Sequence, residues 1–179
     1  MLTSTRQLHL WTMLEANPGV TRYCERPTWP IEAEIAPALD FWVMRDGQPV
    51  WLALDESARS DSAETSSSAD EVVQTVSDVE LDRHRVWIQN WLSLLPYLST
   101  CSALNLNLQR APITDFFARE ASFGDVERHF SQIDPIVVRT TVIAELHAGR
   151  LFSKELTERP WDRNTRVVRT SGRARHAPH

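Results

Sequence analysis

An Asp-Gly pair at positions 46 and 47 separates two apolar segments, and this pattern constrains the fold more than any other feature of the chain. The first segment runs from Ala38 to Met44 and the second from Val50 to Leu54. Asp-Gly is favoured in two-residue turns where both residues have a positive φ, so the two segments are predicted to form an antiparallel hairpin. Asp40 belongs to the first strand and Asp55 directly follows the second. The hairpin therefore presents two carboxylates.

The outline of this hairpin resembles the metal site of PD-(D/E)xK nucleases. In such a site one strand presents an Asp and the next presents an acid, a spacer and a Lys; the carboxylates hold Mg²⁺ and the Lys orients the attacking water. Here Ala53 stands in the place of the acid and Asp55 in the place of the Lys. The single lysine of the chain, Lys154, lies far downstream. Arginine carries nearly all the positive charge and cannot activate water as a base, so the pattern favours binding of nucleic acid over its hydrolysis.

Apolar residues at helical spacing predict a helix on each side of this hairpin. Residues 3–15 carry Leu8, Trp11 and Leu14 on one face and are followed by the helix-stopping Asn-Pro-Gly of positions 17–19. A second helix is predicted from Ser77 to Pro96. Further segments are predicted as short extended pieces at 20–24 and 31–35, a mobile acidic loop at 57–70 and a strand at 72–76. Together these elements predict an α/β domain with a mixed sheet and flanking helices over residues 1–99.

The C-terminal part of the chain is predicted to form a small helical unit over residues 100–170. Asp134 and Pro135 are favoured at a helix start, and the helix that continues from Ile136 to His147 should end at Gly149. The segment 151–169 is predicted to hold a further helix and then a β wing, which is typical of a winged-helix-like module. Residues 171–179 are predicted to be a flexible basic tail.

Charge is distributed unevenly along the 179 residues, although the formal net charge is only -5. Eight acids and a single base lie between Trp51 and Glu80, whereas seven bases and three acids lie between Leu151 and His179. Phosphate contacts are therefore expected near the C-terminus. The predicted DNA-binding residues are Arg159, Arg163, Arg166, Arg169 and Arg173. Trp29 and Trp161 each neighbour a proline, and both stay open as surface residues for a partner or a base, or as packed residues.

Cysteine and histidine spacing give no indication of a zinc site or a disulfide framework. Cys24 and Cys101 are far apart, and the six histidines show no metal-ligand spacing. The N-terminus lacks a basic-then-apolar leader, and no apolar run approaches eighteen residues. These patterns predict a cytoplasmic protein without a membrane segment and without a cofactor.

Several segments together resemble the TnsA-type endonuclease subunit of heteromeric bacterial transposases and its TnsA-like relatives. The similarity begins with Ser4-Thr5-Arg6-Gln7-Leu8 and extends through most of the chain. The other similar segments are 14–20, 23–27, 38–43, 73–80 and 87–92, with looser similarity over the C-terminal helices. The resemblance implies a restriction-endonuclease-like fold in a bacterial protein that acts in transposition or mobile-element biology. Its implied partners are DNA, transposase subunits or other mobile-element proteins, and a homo-oligomer is compatible with it.

The family's catalytic set maps onto this chain with three of its chemical roles missing. The set consists of a Glu on the first helix, the Asp of the hairpin, and Gln/Glu-x-Lys on the next strand; these correspond to Gln7, Asp40, Ala53 and Asp55. Only Asp40 matches. The resemblance therefore implies a nuclease fold whose active site has degenerated.

Two alternatives to an inactive TnsA-like protein are open at this point. The first is an active Mg²⁺-dependent DNA endonuclease with a non-standard ligand set of Asp40, Asp55 and Glu56. The second is an interaction module that binds protein and no DNA.

Overall fold

The computed structural model describes residues 2–28, 38–55, 73–100 and 106–170. The predicted extended piece at 31–35, the acidic loop at 57–70 and the basic tail, together with Trp29, Glu56, Cys101 and Arg173, lie outside the described residues. The chain divides into two compact units, Met1–Arg83 and His84–His179. Among the described residues, no helix is both long enough and apolar enough to cross a membrane.

The first unit is a mixed α/β arrangement built on a four-stranded sheet. Its elements are α1 (Thr5–Glu15), β1 (Val20–Glu25), β2 (Phe41–Arg45), β3 (Gln48–Leu54), β4 (Val73–Val76) and α2 (Asp78–Arg83). The strand order is β1-β2-β3-β4. The first three strands are antiparallel, and β4 runs parallel to β3. The α/β class predicted from the sequence is confirmed at this level.

The predicted hairpin is present, with Arg45 paired to Gln48 across a two-residue turn. Asp46 has φ 49° and Gly47 has φ 80°. Two consecutive positive φ values give a turn whose twist matches that of the flanking strands, which explains the Asp-Gly pair. The turn fixes the register of β2 against β3 and thereby the position of Asp40 relative to the end of β3.

The core of the first unit lies between α1, α2 and one face of the sheet. Ser4 caps α1 by accepting a hydrogen bond from the main-chain N–H of Gln7. The helix then buries Leu10 and Leu14 against Phe41, Val43, Leu52, Val76 and Leu81. The alternation of Phe41 and Val43 with half-buried residues gives β2 one core face, as expected for a strand of period two.

The helix predicted from Ser77 to Pro96 is two helices, α2 and α3 (Arg85–Thr100), separated at His84. Pro96 lies inside α3 and does not end it, so that part of the prediction is wrong. A proline within a helix removes one main-chain hydrogen bond, and α3 continues past it to Thr100. The compact units divide ahead of α3, so α3 belongs to the second unit, whereas the sequence placed the boundary near Ser99.

The second unit consists of helices and a three-stranded sheet. After α3 it contains α4 (Asn107–Phe116), β5 (Ala121–Ser122), α5 (Phe123–His129), α6 (Pro135–His147), β6 (Leu151–Phe152), α7 (Glu155–Glu158) and β7 (Arg166–Arg169). The strand order is β5-β7-β6, with both pairs antiparallel. Asp134 caps α6 with Pro135 in the first turn, as predicted. A helix is present after Leu151, the four-residue α7, and a strand, β7, follows it.

Candidate functional site

The structure brings together the positions that the sequence resemblance maps onto the nuclease set, at the start of β2 and the end of β3. The Gln7 side-chain amide on α1 donates from Nε2 to Asp40 Oδ1 at 2.7 Å. The main-chain N–H of Leu54 donates to Asp40 Oδ2 at 2.7 Å. Leu54 lies between Ala53 and Asp55. The four positions that the resemblance selects therefore lie close together in the first unit.

The orientation of the Gln7 amide is fixed by Thr3. Both the main-chain N–H and the hydroxyl of Thr3 donate to Gln7 Oε1, at 2.8 Å and 2.9 Å. These two donors assign the oxygen to the Thr3 side and the NH₂ group to the Asp40 side. Gln7 therefore presents a donor towards Asp40, where a metal site needs an oxygen ligand.

Asp40 acts as a clamp between α1 and the hairpin. Each of its two carboxylate oxygens accepts a protein hydrogen bond, from Gln7 and from Leu54. Ala53 contributes no ligand atom. Among the residues that the structure describes, no group of three or more His, Cys, Asp or Glu is arranged to hold a metal ion. Glu56 of the non-standard ligand set lies outside the described residues.

Two arginines that were not predicted as site residues, Arg6 and Arg26, lie next to this clamp. Arg6 donates from Nη2 to the main-chain oxygen of Asp55 at 2.5 Å, and its Nε lies 2.5 Å from Asp78 Oδ1. Arg26 has φ 49°, its N–H donates to the main-chain oxygen of Asp40, and its guanidinium donates to the Thr3 hydroxyl. The guanidinium of Arg6 therefore contacts the main chain of Asp55, the residue that the resemblance maps onto the nuclease Lys. The segment Ser4 to Leu8 carried Arg6, but nothing in its spacing connected it to Asp55.

The described members of the predicted DNA-binding set all form ion pairs within the second unit. Arg159 contacts Glu155 at 2.6 Å and Asp162 at 3.4 Å. Arg163 contacts Glu127 at 2.8 Å, Arg166 contacts Glu120 at 3.7 Å, and Arg169 contacts Asp115 at 2.6 Å. A phosphate therefore has to compete with a carboxylate for each of these arginines.

Two buried glutamates in the second unit each hold two arginines. Glu145 accepts a bidentate pair of hydrogen bonds from Arg150, at 2.5 Å and 2.6 Å, and lies 3.0 Å from Arg110 Nε. Glu127 accepts from Arg139 and is paired with Arg163. Each cluster carries one more positive charge than negative charge. Sequence reasoning missed both acids, because nothing in the spacing of isolated glutamates on helices identifies them as buried.

The loop between α7 and β7 is fastened to α3 through Asn90 and Trp161. The buried Asn90 amide donates to the main-chain oxygens of Leu156 and Arg159, each at 2.8 Å, and accepts from the N–H of Trp161 at 2.9 Å. The Trp161 indole donates to Ser93 and packs against the rings of Tyr97 and Phe123. Trp161 is thus a packed residue of the second unit.

The acids at this loop are held by hydrogen bonds to main-chain N–H groups. The N–H of Arg166 donates to Glu155 at 2.8 Å and is the main cause of the lowered pKa of that carboxyl group, with a further contribution from Arg159. The N–H of Asn164 likewise lowers the pKa of Asp162. Both carboxylates therefore stabilise the loop that leads into β7.

Helix α6 is covered by α3. Trp91 of α3 packs edge-on against His147 near one end of α6, and Tyr97 accepts a hydrogen bond from Arg139 near the other end. Seven residues of α6 are buried, among them Thr140, Thr141 and Glu145. A helix buried on most of its surface is not free to enter a DNA groove.

Comparison of the chain with protein-family models, with curated proteins and with solved structures finds no match in any of the three.

Proposed function

We propose that this chain is a TnsA-like protein without nuclease activity that acts in DNA transposition, or in related mobile-element processes, by binding DNA and transposase subunits. The observation that carries the proposal is the hydrogen bonding of Asp40. The resemblance maps this residue onto the hairpin Asp of the nuclease family, yet each of its carboxylate oxygens accepts a hydrogen bond from the protein, one from Gln7 and one from Leu54. The position is kept as a structural clamp and is lost as a metal ligand.

Binding of a metal ion at Asp40 would require the surrounding side chains to rearrange. Mg²⁺ binds in proteins through carboxylates and retained waters in near-octahedral geometry. The Gln7 amide would have to turn its oxygen towards Asp40 and give up both hydrogen bonds from Thr3. Ala53 would still supply no ligand, and the cation beside Asp55 is the guanidinium of Arg6, which cannot deprotonate water. The first unit is accordingly proposed to serve in assembly.

DNA association is assigned to the second unit because charge is segregated between the units. Residues 1–83 contain six Lys and Arg and fifteen Asp and Glu, whereas residues 84–179 contain thirteen Lys and Arg and nine Asp and Glu. A polyanion is repelled by the first unit and attracted by the second. The strand order β5-β7-β6, with the long β6–β7 connection, supports a winged-helix-like assignment for this unit. Because α3 covers α6, we assign the contact to the strands and their connection.

The test is binding of a labelled 30-base-pair duplex, about the size of one DNA site, by fluorescence anisotropy in EDTA over a range of salt concentrations. The proposal expects binding at low salt that weakens steeply as salt rises, with a log–log slope of about 0.9 per neutralised phosphate. Binding to neither duplex nor single-stranded DNA at the lowest salt would overturn the proposal in favour of a module that binds protein only.

A further inference from the structure

One surface of the second unit combines an exposed aromatic ring with exposed cations. Along 150–154 exposure alternates: Arg150, Phe152 and Lys154 are exposed, whereas Leu151 and Ser153 are buried. Phe152 is 44 % exposed, although most large apolar residues of this unit are buried. Phe152 belongs to the two-residue strand β6, and Lys154 directly precedes α7. Along the chain, the exposed ring of Phe152 therefore has an exposed cation two residues before it and another two residues after it.

The neighbouring strand extends this surface. Phe152 pairs with Val168 of β7, and Arg166 lies on the same side of β7 as Val168, because the intervening Val167 is buried. The surface formed by Arg150, Phe152, Lys154, Arg166 and Val168 is called the Phe152 face below. It includes only one of the arginines that the sequence argument selected for DNA binding.

We propose that the Phe152 face binds single-stranded DNA, with a base stacked on the Phe152 ring and the flanking phosphates held by Arg150, Lys154 and Arg166. This inference rests on the proposed function and names its DNA surface. Proteins that bind single strands combine aromatic stacking platforms with cations that follow the backbone. A base in a single strand has an apolar face and a phosphate on each side, and the exposed residues Arg150, Phe152 and Lys154 place a cation on each side of an aromatic ring along the chain.

The ion pairs on this face leave its cations available for phosphate. Lys154 is 78 % exposed, and its partner Glu158 is half exposed. Arg166 is 56 % exposed and lies 3.7 Å from an exposed Glu120. Exposed pairs of this kind contribute little, so exchange of the carboxylate for a phosphate costs little. Arg150 shares the single carboxylate of Glu145 with Arg110, so that cluster keeps an excess positive charge.

The single-stranded occupant follows from the aromatic ring. Phosphates of a duplex need only cations, whereas the flat face of Phe152 is useful to a base only when that base is unstacked from its neighbours. A protein partner is the competing occupant, and the experiment below distinguishes it.

The experiment measures binding of fluorescein-labelled oligothymidylate of about 12 nucleotides, within the usual site size, to the full chain at several salt concentrations. The variant Phe152→Ala should weaken binding about fivefold or more, which is the effect of losing one stacked base. Lys154→Gln should reduce the salt slope by about 0.7, the value for one phosphate of a single strand. Arg150 is left unchanged, because its removal strips the buried Glu145 of a partner and threatens folding.

Matched variants on the same unit serve as controls. Leu108→Ala removes an exposed apolar side chain from α4, and Arg128→Gln removes an exposed arginine from α5. Both should leave oligothymidylate binding unchanged. Binding by the parent that is insensitive to Phe152→Ala, or as sensitive to the controls, would overturn the assignment of this face. Tight duplex binding without oligothymidylate binding would also overturn it and would leave the proposed function standing.

Discussion

Replacing Gln7 by glutamate is predicted to destabilise the first unit, although glutamate is the residue that the nuclease family carries at this position. The Gln7 amide donates to Asp40 at 2.7 Å, so the substitution places two carboxylate oxygens at hydrogen-bond distance without a proton between them. Loss of a hydrogen bond to a charged acceptor costs about 1.5–3 kcal/mol. Two like charges 4 Å apart repel by about 4 kcal/mol at an effective dielectric constant near 20, and less where water screens them. Since both side chains are half-buried, we expect the free energy of unfolding to fall by about 2–4 kcal/mol.

Urea unfolding in EDTA measures this change, and two further variants isolate its cause. Gln7→Glu/Asp40→Asn reverses the direction of the hydrogen bond: the new amide donates to the new carboxylate while its oxygen still accepts from Leu54. That double variant should recover most of the lost stability. Gln89→Glu, on an exposed position of α3, controls for the added charge and should be nearly neutral. Mn²⁺ should stabilise Gln7→Glu more than the parent, because a cation relieves the repulsion. A Gln7→Glu protein as stable as the parent in EDTA would refute the clamp.

Three further predictions follow from the same contacts. Asn90→Ala should lower the free energy of unfolding of the second unit by about 2–4 kcal/mol, because it leaves buried main-chain groups without partners. Gln89→Ala, on the neighbouring exposed position, should have little effect, and urea unfolding measures both variants. Because the pKa of Glu155 is lowered in the folded protein, the stability that its carboxylate contributes is fully present above its ordinary pKa of 4.5 and is lost as the pH falls through its lower folded-state pKa. The variant Glu155→Gln should therefore flatten the acid side of a plot of Tm against pH. The triple variant Gln7→Glu, Ala53→Glu, Asp55→Lys restores the nuclease ligands and should bind Mn²⁺ more tightly than the parent, as measured by calorimetry. A folded triple variant without this gain in affinity would show that the mapping of the hairpin is wrong.

The elements that the sequence predicted well are those with a local physical cause. The Asp-Gly turn specifies its own backbone conformation, and the capped starts of α1 and α6 depend on Ser4, Asp134 and Pro135. Each signal lies within a few residues of the structure it determines. These elements were therefore predictable without knowledge of the packing.

The features that the sequence did not predict depend on contacts between distant residues. The burial of Glu127 and Glu145 and the partner of Arg163 arise from packing between elements of the second unit. The break between α2 and α3 at the single residue His84 also has no signal in the local sequence. The positively charged C-terminal segment was identified correctly, but charge counting does not show that each described arginine of that set has a carboxylate partner. Periodicity also does not show that α3 covers α6.

Of the four positions that the resemblance selected, the sequence does not show how their side chains contact one another. The resemblance located Gln7, Asp40, Ala53 and Asp55, and the structure places the first two in direct contact. The direction of the Gln7 amide is set by Thr3, and the contact of Arg6 with Asp55 spans most of the first unit's sequence. Neither of these two contacts has a signal in the local sequence.

Nicking of supercoiled plasmid in Mg²⁺ or Mn²⁺ tests most directly the claim that Asp40 is a clamp in a nuclease-like hairpin without nuclease activity. The purified parent and Asp40→Ala should be compared at equal concentration, after circular dichroism has shown that both are folded. The account predicts no metal-dependent conversion to open-circular or linear DNA by either protein. Metal-dependent cleavage by the parent that disappears in Asp40→Ala would contradict it and would establish Asp40 as a catalytic metal ligand.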